Sequence, residues 1–98
     1  MHIGICMTVY NRPDYLIQTV DSLEDAMIGQ TVVVVDDCST DDRTIGLLSK
    51  LRYSVIKTHT RSNVYGALNL GISKLIYLDC PHIIILDSDS IVKPNFIA

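Results

Sequence analysis

Ile83-Ile84-Ile85-Leu86-Asp87-Ser88-Asp89-Ser90 is the stretch on which the reading of the whole chain turns. Four large apolar residues in a row, three of them β-branched, specify a strand buried on both faces. That strand runs directly into two carboxylates separated by one serine. In extended backbone, residues two apart point to the same side, with Cα atoms roughly 6–7 Å apart. Two anions held that close repel each other, which favours a shared cation, a shared proton or full solvation. A divalent cation that also carries the phosphates of a nucleotide makes chemical use of both carboxylates.

Upstream, the chain reads as three further strands, each followed by a helix. His2 to Thr8 is an apolar, β-prone run that breaks at Asn11-Arg12-Pro13, where Pro13 suits the first position of a helix. Leu16, Val20, Leu23 and Met27 then recur at helical spacing, and Gly29 supplies the stop. Thr31 to Val35 is a second buried strand, ending in Asp36-Asp37. Cys38-Ser39-Thr40-Asp41-Asp42 offers a Ser or Thr N-cap followed by acids in the first turn, which predicts a short helix to about Leu51. Tyr53 to His59 alternates and reads as a third, more exposed strand at the sheet edge. Arg61-Ser62-Asn63 forms a turn and cap for a helix in which Ala67, Gly71, Leu75 and Leu78 share a face with Leu68 and Ile72. Gly66 and Gly71 inside that helix cost about 1 kcal/mol each relative to Ala, so either the sheet or a ligand must approach closely there. Cys80-Pro81 ends the helix ahead of the fourth strand.

The order βαβαβαβ predicts a single α/β domain over residues 1–98, a three-layer Rossmann-like arrangement. Its mainly parallel sheet takes strand order 3-2-1-4, with helices on both faces. Ligands of such sheets sit beyond the carboxyl ends of the strands where the order reverses, here between the first and fourth. That rim carries Thr8-Val9-Tyr10-Asn11, Asp36-Asp37 and Asp87-Ser88-Asp89. Four aspartates on one edge repel unless a cation, helix N-termini or ligand donors compensate. The plainest account lets Asp36 and Asp37 cap turns and leaves Asp87 and Asp89 solvated, but it gives Tyr10 no reason to share the rim. The sharper account has Asp37 accept a hydrogen bond from the imide N–H of a uracil while Tyr10 stacks on the base. Asp87 then reaches the ribose or the metal, and Asp89 the metal bridging a diphosphate.

Composition narrows the remaining classes. Of 98 residues, 48% are hydrophobic and 19% charged, which suits a folded core and leaves apolar surface for self-association into a homo-oligomer. A net charge of −3 and a pI near 5.4 provide no basic stripe for nucleic acid. The apolar runs are too short to span a bilayer, and no basic segment precedes an apolar leader, so the expectation is a cytoplasmic protein or a cytosolic piece of a longer one. Cys6, Cys38 and Cys80 are odd in number and widely spaced, fitting neither a disulfide framework nor a zinc site. Cys6 reads as core, Cys38 as an exposed loop thiol, and His2, His59 and His82 as scattered surface or strand-end residues.

Four motifs in order then carry a family resemblance: Met7-Thr8-Val9-Tyr10-Asn11-Arg12, Val34-Val35-Asp36-Asp37-Cys38-Ser39-Thr40-Asp41, Asn63 through Ala67-Leu68-Asn69-Leu70-Gly71-Ile72, and Ile85-Leu86-Asp87-Ser88-Asp89. Together they closely resemble the nucleotide-sugar-binding half of family 2 glycosyltransferases with the GT-A fold, over essentially the whole chain. The resemblance implies a nucleotide-diphosphate sugar as ligand, a UDP-sugar favoured, with Mn²⁺ or Mg²⁺ as cofactor. It implies that Thr8 and Tyr10 contact the base, that Asp37 binds the uracil or its equivalent, and that Asp87 and Asp89 serve the ribose and the metal. Many members place an arginine before the asparagine of the third motif; here Leu68 precedes Asn69, so Arg12 or Arg61 is the substitute for a diphosphate or ribose contact. Arg12 and Asn69 join the expected donor-binding set on this basis. Complete members transfer the sugar to an acceptor hydroxyl with inversion, and they continue past the aspartate pair to supply the acceptor site and the catalytic base. No catalytic base is identified here, so the chain is expected to be either a truncated piece or an unusually short gene product, binding the donor at best. The rival expectations are a catalytically inert interaction module of the same fold and a receiver-like signalling domain with an acidic pocket.

Overall fold

The computed structural model describes residues 2–26, 30–61 and 63–87. Over them the chain alternates strand and helix: β1 (Ile3–Val9), α1 (Pro13–Ala26), β2 (Thr31–Asp36), α2 (Asp42–Ser49), β3 (Ser54–Lys57), α3 (Asn63–Tyr77) and β4 (His82–Asp87). The strands pair in parallel in the order β3-β2-β1-β4, so β1 is central and the chain reverses its direction of travel between β1 and β4.

Period-two alternation divides the strand residues between two cores. Ile5, Met7 and Val9 of β1, Val32 and Val34 of β2 and Leu86 of β4 pack with Leu16 and Leu23 of α1 and Leu48 of α2. Cys6, Val33 and Val35 point the other way and pack with Ala67 and Leu75 of α3 and with Cys80. Helices therefore cover both faces, and the unbroken Val32–Val35 run is buried on each side, as a central parallel strand requires. Burial pushes the Cys6 thiol above its usual range, which keeps it protonated and inert within the core.

The α3 glycines pose a choice between sheet and ligand, and at Gly71 it is the sheet. A Cβ built there would collide with Cys6 Sγ and lie 3.0 Å from Val35 Cγ2. Gly4 performs the matching service on β1, where a Cβ would meet Leu75 Cδ2 at 2.8 Å. Helix and strand thus close on each other through two positions that have no side chain.

Several local expectations are corrected. β4 is not buried on both faces: Leu86 is buried, but Ile85 is 52% exposed and Ile83 and Ile84 are only partly covered. Its place at the edge of the described sheet explains this, because α3 lies mainly over β1 and β2. The N-cap of α2 is Asp41 rather than Ser or Thr, its side chain accepting from the Thr44 N–H. α2 ends at Ser49, and β3 is shorter than its alternating pattern, though exposed at the edge as expected. α3 ends at Tyr77, two residues short of Cys80-Pro81, with Asp79 left-handed at φ 59°. There the Cys80 N–H donates to Leu75 O and the Asp79 N–H to Ile76 O, the paired bonds of a Schellman ending. The Met27 and Gly29 expectations for the end of α1, Ser62 in the turn, and Ser88-Asp89 all lie outside the described residues. Among the described residues, no helix is long and apolar enough to cross a membrane.

Candidate functional site

The rim beyond the carboxyl ends of β1 and β2 is held by Asn11. Its backbone is left-handed, φ 54°, a conformation asparagine tolerates better than most residues. From there Oδ1 accepts the backbone N–H groups of Thr40 and Asp41, both at 2.9 Å, and the Asn11 N–H donates to Ser39 Oγ at 3.0 Å. The Ser39 N–H donates in turn to Asp36 Oδ1 at 3.0 Å. Asp36 is therefore a buried turn-forming carboxylate, as the plain account had it. Asp41 continues the chain of contacts into α2: Oδ2 accepts from Thr44 N–H and Oγ1 at 2.9 and 2.8 Å, and these bonds hold its carboxyl below the usual range. Cys38, also left-handed at φ 65°, is half-buried with Sγ 4.0 Å from the His59 carbonyl, not a freely exposed thiol.

This framework places Asp37 beside Tyr10. The Asp37 N–H donates to Val9 O at 2.8 Å, extending the β1–β2 pairing one step beyond the strand. Its carboxylate is buried, 4% exposed for the residue. Oδ1 accepts from Thr58 Oγ1 at 3.1 Å, and Oδ2 lies 3.5 Å from Arg61 Nε. Thr58 is fixed by its own N–H, which donates to Asp36 O at 3.0 Å. The Arg61 guanidinium carbon stands 3.4 Å from the centroid of the Tyr10 ring, in stacking contact. An aromatic face, a buried acceptor and a cation thus converge just past the ends of three strands.

Of the residues singled out from sequence, Tyr10 and Asp37 meet in this cluster. Thr8 is the register partner of Asp87, one strand over. Asp87 is exposed at the end of β4. Arg12 is exposed next to Asn11, also left-handed at φ 59°. Asn69 is exposed on α3, six residues past Asn63 and so roughly 9 Å along the helix from its start. Asp89 lies outside the described residues. Arg61, read from sequence as part of a turn and as a substitute for a diphosphate or ribose contact, lies against Tyr10 and Asp37. Thr58 and the bracing role of Asn11 were missed altogether. Strand order held the signal for Thr58: with β3 beside β2 in parallel, the residue just past β3 shares the rim with Asp36 and Asp37.

The parallel 3-2-1-4 sheet, with its polar cluster at the carboxyl rim, defines a Rossmann-like α/β domain. A receiver domain is set aside by its strand order, which begins 2-1-3. The chain belongs to glycosyl transferase family 2, whose model matches residues 4–98. Among solved structures it is similar to S. aureus TarS 1-349 in complex with UDP-GlcNAc, at 25% identity and a TM-score of 0.80, over 97% of this chain and 28% of that one. The UDP complex of the same protein gives 25% identity and a TM-score of 0.78, over 96% and 29%. A mannosyltransferase from Pyrobaculum calidifontis, PcManGT with GDP-Man and Mn²⁺, gives 21% identity and a TM-score of 0.75, over 91% and 28%, a likeness of fold. The chain spans less than a third of the length of each of these structures. No curated protein matches its sequence.

Proposed function

We propose that this chain is the donor-binding part of a glycosyltransferase and holds a nucleotide-diphosphate sugar, UDP-sugars favoured, at the carboxyl rim of the sheet. The observation that carries this is the buried Asp37 carboxylate beside the Tyr10 ring. A uracil lying on that ring donates its N3–H to Asp37, and Thr58 holds the other carboxylate oxygen in place. Thr8 lines the approach from β1, next to Asp87 for the ribose or the metal. TarS with UDP and UDP-GlcNAc supports the same class of ligand.

Among the described residues, no three acidic, histidine or cysteine side chains converge on a point. In nucleotide sites Mg²⁺ or Mn²⁺ is held by one or two protein carboxylates joined by phosphate oxygens and water, and the exposed Asp87 carboxylate at the rim is a ligand of that kind. Asp87 and Asp89 are the proposed protein ligands. When bound, such an ion neutralises charge developing on a leaving diphosphate. Arg12, exposed on the same rim, is the proposed cationic contact to the phosphates, and Asn69 the outermost member of the set. No described residue is assigned as the base for inverting transfer to an acceptor hydroxyl. By itself the chain is proposed to bind the donor rather than turn it over.

Calorimetric titration of UDP, UDP-GlcNAc and GDP-Man, with Mn²⁺ and with a chelator, tests the proposal. The expected result is uridine-nucleotide binding that Mn²⁺ strengthens, and an Asp89→Asn variant that keeps its circular dichroism but loses the metal dependence. A folded chain that binds none of the three belongs to the inert-module reading instead.

A further inference from the structure

If Tyr10 and Asp37 form the base subsite, the Arg61 guanidinium already lies in it. We infer that Arg61 is the internal occupant of that subsite: its guanidinium takes the place of the base on both the Tyr10 ring and the Asp37 carboxylate, and must swing out before a nucleotide can enter.

The geometry of the guanidinium leads to this. It is planar, presents N–H donors at its edge, and lies 3.4 Å from the Tyr10 ring centroid, the separation at which a nucleobase stacks on an aromatic ring. Its edge meets Asp37, with Nε 3.5 Å from Oδ2. A uracil on the same face of the ring needs the same two contacts, one through its π-face and one through its imide N–H. Arginine and base therefore compete for one slot.

Burial shows which partner moves. The Asp37 side chain is 6% exposed and the Arg61 side chain 57% exposed. Arg61 sits in the connection between Lys57 at the end of β3 and Asn63 at the start of α3, where it can turn out into water. Asp37 stays, fixed by the Thr58 hydroxyl on Oδ1 and by its own N–H on Val9 O. Arg61 brings a charged donor to Oδ2, and on binding the imide N–H takes over that contact.

This role has a signature that a phosphate-binding arginine lacks. The ligand-free state is common to all ligands, so an occupant of that state weakens each of them by the same factor and leaves their ranking unchanged. An arginine that instead gripped the diphosphate would favour UDP and be indifferent to uridine. The two roles predict opposite signs when the side chain is removed.

The test is calorimetry of uridine, and of UDP with Mn²⁺, against the unmodified chain, Arg61→Ala and Arg61→Lys. Arg61→Ala is expected to bind both ligands more tightly, by one common factor of about 3 to 30, the combined worth of one stack and one ion pair made by an exposed arginine. Arg61→Lys keeps the ion pair without the planar stack and is expected to fall between. Added salt weakens the Arg61–Asp37 pair, so uncharged uridine should bind the unmodified chain better as salt rises, a trend absent from Arg61→Ala. If Arg61→Ala binds UDP more weakly while uridine is unchanged, the occupancy role is overturned and the donor site stands with Arg61 as a phosphate contact. If neither ligand binds the folded chain or the variants, the base subsite itself falls and the occupancy falls with it.

Discussion

Asn11 is the residue on which the rim depends most, although it reaches no ligand in the proposed site. Its side chain pairs two backbone N–H groups of the neighbouring loop, and its left-handed backbone aims the chain back into α1. Asn11→Ala leaves the Thr40 and Asp41 N–H groups without that acceptor and puts a Cβ-bearing residue with no compensating hydrogen bond at φ 54°. The expected loss is about 1–3 kcal/mol in urea unfolding, two partly exposed hydrogen bonds plus a backbone cost. Asn11→Gly keeps the conformation without strain and should lose less, so the gap between the two variants isolates the backbone share. An Asn11→Ala chain as stable as the original would show that the loops hold without this bracket. At this scale the sequence was enough to put Tyr10 and Asp37 on one rim, because each directly follows a strand and the strands are parallel neighbours. It did not reveal Arg61 stacked on Tyr10, because that contact depends on the path of the loop after β3, which no local pattern encodes.

Among the elements, α3 shows how a helix can be fitted to a sheet by what it lacks. Helix propensity alone would make Gly71→Ala stabilising by about 1 kcal/mol. The collision with Cys6 Sγ opposes this and outweighs it, since Cys6 sits in the central strand with no exposed surface into which to relax. Overpacking of this kind costs about 1–3 kcal/mol, so Gly71→Ala is expected to lower stability despite the better helix former. The same substitution in a Cys6→Ala background removes the colliding atom and should cost less, a non-additivity that a double-mutant cycle in urea reads directly. Equal costs in both backgrounds would place the strain elsewhere. The glycine is conspicuous in the sequence, but only the strand order β3-β2-β1-β4 shows that the sheet is what meets it. Order also explains why β4 departs from expectation: Ile83-Ile84-Ile85-Leu86 has the local pattern of a central strand, and being at the edge is a property of the sheet rather than of the run. The Asp41 cap escapes a sequence reading for a related reason, since four consecutive residues, Ser39 to Asp42, each qualify by type and only the turn braced by Asn11 selects among them.

At the level of the molecule, the proposed site exists only when the whole sheet does. Tyr10 follows β1, Asp37 follows β2 and Asp87 closes β4, so three strands remote in sequence must be in register before the rim can hold anything. An unfolded chain offers no such surface, and a nucleotide that binds this rim must therefore stabilise the native state alone. At a free concentration one hundred times its dissociation constant, the gain is about 2.7 kcal/mol. For a domain of this size that is a rise of roughly 10–20 °C in the thermal midpoint. UDP with Mn²⁺ is expected to produce the shift, and Mn²⁺ alone much less, because one or two carboxylates without phosphate oxygens make a weak site. In Arg61→Ala the same UDP concentration should raise the midpoint further, since the occupant that the nucleotide must displace is gone. A midpoint that UDP and Mn²⁺ leave unmoved, at concentrations where calorimetry shows saturation, would mean that the unfolded chain binds them as well as the native one does. The rim formed by Tyr10, Asp37 and Asp87 would then not be where they bind.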